Sequence, residues 1–255
     1  MDFTGKVVVI TGAGGGIGSA VAKKFAVLGA RLALVSTRIE TARRTAESLS
    51  LPKDRVFCVG ADLTDETAAH TAVTAVMDHY GRIDALVNTA GIPGPSARTE
   101  DYPFSEVRRV FSVNVFGTFL MMQAVLPIMQ AQRSGAVVNF GSVSGMFGYP
   151  YEIAYGASKA AVIFMTKNAA NENGGNGVRV NAISPGWVDT GMMRTILDSY
   201  KDVGIENSAD NVTLGPMGRP GTPEEIANVA AFLCSEESSY VNGANFLVDG
   251  GMTLG

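Results

Sequence analysis

A tyrosine and a lysine four residues apart, Tyr155 and Lys159, carry the clearest chemical signal in the chain. On a helix, positions i and i+4 lie one above the other, so a phenol and an ammonium placed there reach the same small volume. A free tyrosine titrates near pH ~10 and is a poor base at neutrality. A neighbouring cation favours the phenolate and lowers that value. A tyrosine tuned in this way exchanges a proton with an alcohol oxygen near working pH. Ser142, thirteen residues before the tyrosine, is placed to hydrogen-bond the same oxygen. Read alone, the pair equally describes a surface lysine beside a half-buried tyrosine, so the rest of the chain must decide.

The elements needed to hold these residues are legible. The apolar run Ala136–Phe140 predicts a strand that delivers the chain to Ser142, and a helix is expected to open near Ala154. Far upstream, Lys6–Thr11 reads as a fully buried parallel strand. It runs into Gly12-Ala13-Gly14-Gly15-Gly16-Ile17-Gly18, and a helix follows from Ser19 to Leu28. Strand, glycine loop and helix in this order suit a dinucleotide pyrophosphate, held by the amides and partial positive charge of the helix N-terminus. The glycines fit two spacings, through Gly12, Gly16 and Gly18 or through Gly12, Gly15 and Gly18, and spacing alone does not choose.

The second strand, Arg31–Val35, ends at Ser36-Thr37-Arg38. An acid at this tip would accept the ribose 2′-hydroxyl of NAD. None stands at Ser36 or Thr37, and the nearest is Glu40. Ser36, Thr37 and Arg38 are instead suited to donate to a 2′-phosphate, which favours NADP(H) and leaves NAD(H) open. Strand three, Arg55–Val59, leads to Asp62-Leu63, with Asp62 a candidate acceptor for the adenine amino group. Strand four, Ile83–Val87, leads to Asn88, Ala90 and Gly91, whose small neighbours would let a cofactor lie against the strand end.

With 255 residues and 46% hydrophobic content, one α/β domain is expected. A net charge of −4 gives no footprint for nucleic acid. Cys58 and Cys234 sit in apolar runs and read as reduced residues of a cytoplasmic protein. His70 and His79 share one solvent-facing helical stretch, so no metal site is expected. No apolar run is read as long enough to span a membrane, and the N-terminus moves straight into a strand. Val107–Leu126 is apolar almost all round, with Asn114 the polar exception and Pro127 at its expected end. Such a helix needs a partner subunit on its outer face. The stretch 191–219 is the least regular, which suggests a substrate lid over about 189–220. Strand six, Val178–Ile183, ends in Ser184-Pro185-Gly186-Trp187-Val188-Asp189-Thr190; a helix over Pro223–Cys234 and a strand over Phe246–Val248 close the chain.

Taken in order, these motifs resemble the short-chain dehydrogenase/reductase family over nearly the whole chain. They are Thr11-Gly12-x-x-x-Gly16-x-Gly18, Asp62, Asn88-x-Ala90-Gly91, Asn114, Ser142, Tyr155-x-x-x-Lys159 and Pro185-Gly186 with Thr190. The resemblance implies a doubly wound Rossmann fold, a seven-stranded parallel sheet with helices on both faces. It implies a catalytic tetrad of Asn114, Ser142, Tyr155 and Lys159, with Tyr155 as general acid or base, Lys159 lowering its pKa and holding the nicotinamide ribose, and Asn114 holding a water. Val188 and Thr190 would meet the carboxamide, and Gly14, Gly15, Ile17 and Leu63 would complete the cofactor contacts. The family habit is a homotetramer. Gly15 stands where many NADP-using relatives carry a basic residue. The implied activity is interconversion of a secondary alcohol and a ketone, a 3-oxoacyl, cyclic or other apolar carbonyl compound, by hydride transfer. Two rivals are a nucleotide-sugar epimerase or dehydratase on the same fold, whose chains are usually longer, and a non-catalytic dinucleotide sensor, which commonly lacks the tyrosine or the lysine. Ile92, Pro93, Met146, Phe147, Tyr149, Tyr151, Trp187, Met192 and Met193 are the expected substrate contacts, and their mostly apolar or aromatic character favours a small uncharged alcohol, ketone or cyclic diol over a phosphorylated or acidic substrate.

Overall fold

The computed structural model describes residues 1–205 and 214–254. Seven strands form one parallel sheet in the order β3-β2-β1-β4-β5-β6-β7. They are β1 (Val7–Thr11), β2 (Arg31–Ser36), β3 (Val56–Gly60), β4 (Ala85–Asn88), β5 (Gly135–Phe140), β6 (Val178–Pro185) and β7 (Asn245–Val248). The central strands are nearly continuous apolar runs because both of their faces are covered. Side chains alternate between those faces. Val8, Ile10, Leu32 and Leu34 pack on one side with α1 (Gly16–Val27) and α8 (Pro223–Cys234). Val7, Val9, Ala33 and Val35 face the other side with α3 (Glu66–Tyr80), α5 (Gly117–Gln132) and α6 (Ile153–Asn173). The remaining α-helices among the described residues are α2 (Ile39–Leu49), α4 (Phe104–Phe111) and α7 (Gly191–Ser199).

Two expectations about elements change. The apolar helix does not stop at Pro127; α5 continues to Gln132. Proline removes one helical donor, but the extra turn is anchored. Met129 is fully buried, and the Gln132 amide accepts from the Ile83 N–H at 3.1 Å and donates to the Ile83 carbonyl at 2.7 Å. Arg133, in the left-handed region at φ 55°, then closes the helix. As a result Phe104–Gln132, 29 residues with a π-helical turn at Ser112–Phe116, is long and apolar enough by composition to cross a membrane. Half of its apolar window is packed inside the chain, as in the core helix of a globular sheet protein. The second change is in the presumed irregular stretch. Its start, Gly191–Ser199, is helical, capped by Thr190, whose hydroxyl accepts from the Met193 N–H. The rest of the expected lid includes 206–213, which lie outside the described residues.

Candidate active site

Parallel strands all end on the same edge of the sheet, and the order reverses between β1 and β4, which opens a crevice there. The ends of β1, β4, β5 and β6 therefore bring the glycine loop, Thr89–Gly91, Ser142 and Gly186 together although they are far apart in sequence. The side chains of Ile17, Ser142, Tyr155, Lys159, Val188 and Thr190 line a single cleft with Gly91, Pro185 and Gly186.

Sterics select among the glycine spacings. Gly12 has φ +62°, and a Cβ there would stand 2.8 Å from the Ala90 backbone nitrogen. A Cβ on Gly16 would press on the Thr190 methyl at 2.8 Å, and one on Gly18 would strike the Gly12 carbonyl. At Gly15 the nearest neighbour is the Gly12 oxygen at 3.3 Å, so that position is the loosest of the four. Of the two spacings, the sterics favour the one through Gly12, Gly16 and Gly18, and Gly14 is closed as well, by Thr41 at 2.5 Å. Helix α1 begins here with Gly15 at its N-cap and no side chain capping its first amides. Those free donors and the exposed glycine backbone fit a pyrophosphate. At the β2 tip, the Ser36 and Thr41 hydroxyls are 2.7 Å apart, and Thr41 donates to the Arg38 carbonyl at 2.7 Å. Thr37, Arg38 and Glu40 are exposed. Asp62 is exposed as well, and its carboxylate is already held by the Thr64 N–H and hydroxyl at 3.0 and 2.9 Å. Leu63 is buried.

The catalytic candidates meet as the helix spacing requires. The Lys159 ammonium lies 5.6 Å from the centre of the Tyr155 ring. It is 5% exposed and donates to the Phe140 carbonyl at 2.8 Å. Desolvation lowers its pKa from 10.5 to about 8. A lysine has three donor positions and Phe140 takes one, so it fits a ribose hydroxyl brought into the cleft. Tyr155 departs from expectation. Burial pushes its phenol up to about 12, with the Ser142 hydroxyl working the other way and the Glu152 carboxylate adding to the rise. The lysine does not bring the tyrosine down here, because desolvation penalises both charged forms. The phenol is thus held protonated, the state of an acid.

Asn114 sits in the π-helical turn, a local irregularity that often marks functional positions. Its amide is committed to protein. The oxygen accepts from the Ile92 N–H at 2.8 Å; the nitrogen donates to the Ile92 carbonyl at 3.0 Å and to the Ser158 hydroxyl at 2.9 Å. This clamps the loop after β4 against α6. Asn88 is also buried, and its side-chain amide donates to Asn139 at 2.9 Å.

Of the expected substrate residues, Tyr149, Trp187, Met192 and Met193 line the cleft. Pro93 lines a small adjoining chamber. Met146 and Phe147 are exposed, and the Met146 sulfur meets the Asn245 amide at 3.0 Å instead. Ile92 enters through its backbone bonds to Asn114, and Tyr151 packs edge-on against Tyr200 with centroids 6.5 Å apart. Lining residues that escaped the sequence reading include Ser144, Ile196, Glu152 and Met252, together with Thr89, Phe140, Gly141 and Val143. Ser144 and Ile196 follow Ser142 and Met192 at short range and were within reach; nothing local marks Glu152 as facing the cleft, or Met252, which arrives from the C-terminal segment.

Residues 12–253 match a family model described as Enoyl-(Acyl carrier protein) reductase. Levodione reductase from Leifsonia aquatica is 40% identical over 257 residues, covering 98% of this chain and 95% of that protein. The crystal structure of levodione reductase superposes with a TM-score of 0.95 at 38% identity, over 99% of both chains. Two further solved structures are similar: NAD+-bound xylitol dehydrogenase, with a TM-score of 0.91 at 35% identity, covering 98% of this chain and 100% of that one, and ElxO with NADP bound, 0.89 at 31%, covering 98% and 99%. Likeness of this extent, carried through the motifs that build the cleft, shows that the chain belongs to the short-chain dehydrogenase/reductase family and is an NAD(P)-dependent oxidoreductase acting on CH–OH groups.

Proposed function

We propose that Tyr155 is the proton donor and acceptor in the interconversion of a secondary alcohol and a ketone, with Ser142 and Lys159 as its partners. The observation that carries this reading is the shared cleft: Ser142, Tyr155 and Lys159 line one wall-to-wall space with Ile17 and Thr190, beside the free amides of α1. A nicotinamide dinucleotide held there supplies the hydride or takes it up. In reduction, the half-buried phenol gives its proton to the carbonyl oxygen. Ser142 holds that oxygen and stabilises the charge growing on it. Lys159 binds the nicotinamide ribose and, as a cation beside the ring, favours the phenolate left behind. In oxidation the same groups act in reverse. Asn114 positions the Ile92 loop that walls the cleft.

The residues proposed for the cofactor are Gly12, Gly14, Gly15, Gly16, Ile17, Gly18, Asp62, Leu63, Asn88, Ala90, Gly91, Pro185, Gly186, Val188 and Thr190. NADP(H) is the preferred form: exposed Arg38 and Thr37 suit a 2′-phosphate, Ser36 joins them by turning its hydroxyl away from Thr41, and no acid stands at Ser36 or Thr37. The substrate is a small uncharged alcohol or ketone, admitted past Trp187, Met192 and Met193. One domain with α7 as part of a lid, a homotetramer and a cytoplasmic setting complete the reading; the apolar outer face of α5 and two free cysteines support the last two. The test is a panel of secondary alcohols and ketones with each cofactor, followed by the absorbance of the reduced nicotinamide. Turnover of members of the panel is expected; none with any of them would refute the reading.

A further inference from the structure

Glu152 is the one acid lining a cleft whose other described residues, Lys159 apart, are apolar or neutral. It occupies the N-cap position of α6, yet its side chain makes no capping bond. Its two oxygens turn inward instead. Oε2 accepts from the Ser144 hydroxyl at 2.8 Å, and Oε1 accepts from the Tyr200 hydroxyl at 3.2 Å. Among the described residues Glu152 is in no ion pair. The preceding residue, Tyr151, takes φ +69°, a left-handed conformation that is an outlier for a bulky side chain. Strain of this kind persists only where the surroundings enforce it, and it gathers at functional sites. Here it turns the chain so that the acid enters the cleft. Glu152 lines both the main cleft and the small chamber formed by Pro93, Gly94, Pro95 and Ser96, and both spaces also include Tyr155 and Ile196. The acid thus stands where a substrate whose reacting oxygen lies on Tyr155 would place its neighbouring carbon atoms.

We propose that Glu152 is the specificity-determining residue of this cleft, accepting a hydrogen bond from a second hydroxyl of a neutral diol or hydroxyketone and rejecting substrates that carry an anion at that end. The proposal rests on the alcohol–ketone reading of the site. Each carboxylate oxygen has more than one acceptor position, and Ser144 and Tyr200 use one apiece. Those two donors fix the rotamer, so little side-chain freedom is lost when substrate arrives. A carboxylate or phosphate on the substrate would meet like charge in a poorly solvated space. Burial raises the pKa of Glu152, with the Ser144 and Tyr200 bonds opposing the rise, as expected for an acid with no cation beside it. Tyr200, on the turn that follows α7, also ties this wall to the Ser96 loop, since the adjacent Ser199 hydroxyl lies 2.7 Å from that of Ser96.

The experiment compares kcat/KM for butane-2,3-diol, butan-2-ol and 3-hydroxybutyrate in the wild-type enzyme, Glu152→Gln and Glu152→Ala. The wild type is expected to favour the diol over the mono-alcohol by roughly ten- to hundredfold, the range of a hydrogen bond to a charged group. Glu152→Ala should bring that ratio close to unity. Glu152→Gln, nearly isosteric and still an acceptor, should keep part of it while raising the relative rate with 3-hydroxybutyrate. An undiminished diol preference in both variants overturns the proposal. Equal rates on diol and mono-alcohol in the wild type overturn it too and leave the alcohol–ketone reading standing. Failure of the wild type to turn over any alcohol or ketone removes both.

Discussion

Lys159 is a buried cation with one protein acceptor, and holding it there is costly. Its pKa falls from 10.5 to about 8, so between those values the unfolded chain binds more protons than the folded one and stability rises with pH. Lys159→Met should therefore stabilise the cofactor-free protein at neutral pH by about 1–2 kcal/mol while abolishing turnover, and the gain should shrink as pH climbs through that window. Melting temperatures of both proteins across pH check this; a variant less stable at every pH would contradict it. Cofactor choice is decided a few residues away. Ser36→Asp adds a 2′-hydroxyl acceptor and repels a 2′-phosphate, so it should move preference toward NAD by roughly ten- to hundredfold in kcat/KM. A higher value with NAD in the unmodified enzyme would refute the NADP preference. Tyr155, Lys159 and Ser142 were legible in the sequence because helix periodicity and strand ends dictate where they point. The titration of Tyr155 was not, since burial depends on the whole cleft. Glu152 escaped for a plainer reason: an acid before a helix reads as a cap, and nothing in the linear chain shows it turning to Tyr200.

At the level of elements, strand order does the positioning, and Asp84 locks three strands at the opposite edge. Its backbone N–H donates to the Val7 carbonyl at 2.9 Å and its carbonyl accepts from Ala136 at 3.0 Å. Its carboxylate accepts from the Val7 N–H at 2.9 Å and from Arg82 at 2.6 and 2.8 Å, with Lys6 at 3.4 Å. Burial works against the charge, but Arg82, the Val7 N–H and Lys6 outweigh it and hold the pKa below the usual range. A lowered folded-state pKa contributes stability above the unfolded value, near ~3.9, and loses it as pH falls through the folded value. Asp84→Asn should cost about 1–3 kcal/mol at neutral pH, and the deficit should close on acidification below about pH 4. Denaturant titrations at several pH values test this, and a pH-independent difference would count against the ionic account. The sheet and most helices were legible from apolar runs and glycine turns. Helix α5 was cut short in the reading because proline is a strong local stop, whereas the buried Met129 and the Gln132 bonds to Ile83 are tertiary. Helix α7 was missed because Gly191 and the polar residues around it conceal an amphipathic turn that Thr190 caps.

For the whole molecule, the question is what covers the outer apolar face. Phe104, Phe116 and Phe119 on the long helix and Phe164 on α6 are 72%, 53%, 46% and 63% exposed. Such a surface is unusual for a monomer and suits a two-fold contact in which each face meets its own copy. Light scattering at micromolar protein should give a mass at least twice that of one chain, and Phe116→Glu with Phe119→Glu should lower it. A wild-type monomer would contradict the expectation.

The central claim is that a half-buried phenol beside a desolvated lysine moves the proton, the hydride being the chemistry a bound dinucleotide would supply. Tyr155→Phe removes one oxygen and leaves the glycine loop, Lys159 and the cleft walls in place. Hydride transfer measured in a single turnover, with cofactor binding followed in parallel, tests the claim most directly. Binding should persist while the transfer rate falls by roughly 10²–10⁴-fold, the scale of general acid–base catalysis. Wild-type hydride transfer in Tyr155→Phe would contradict the account.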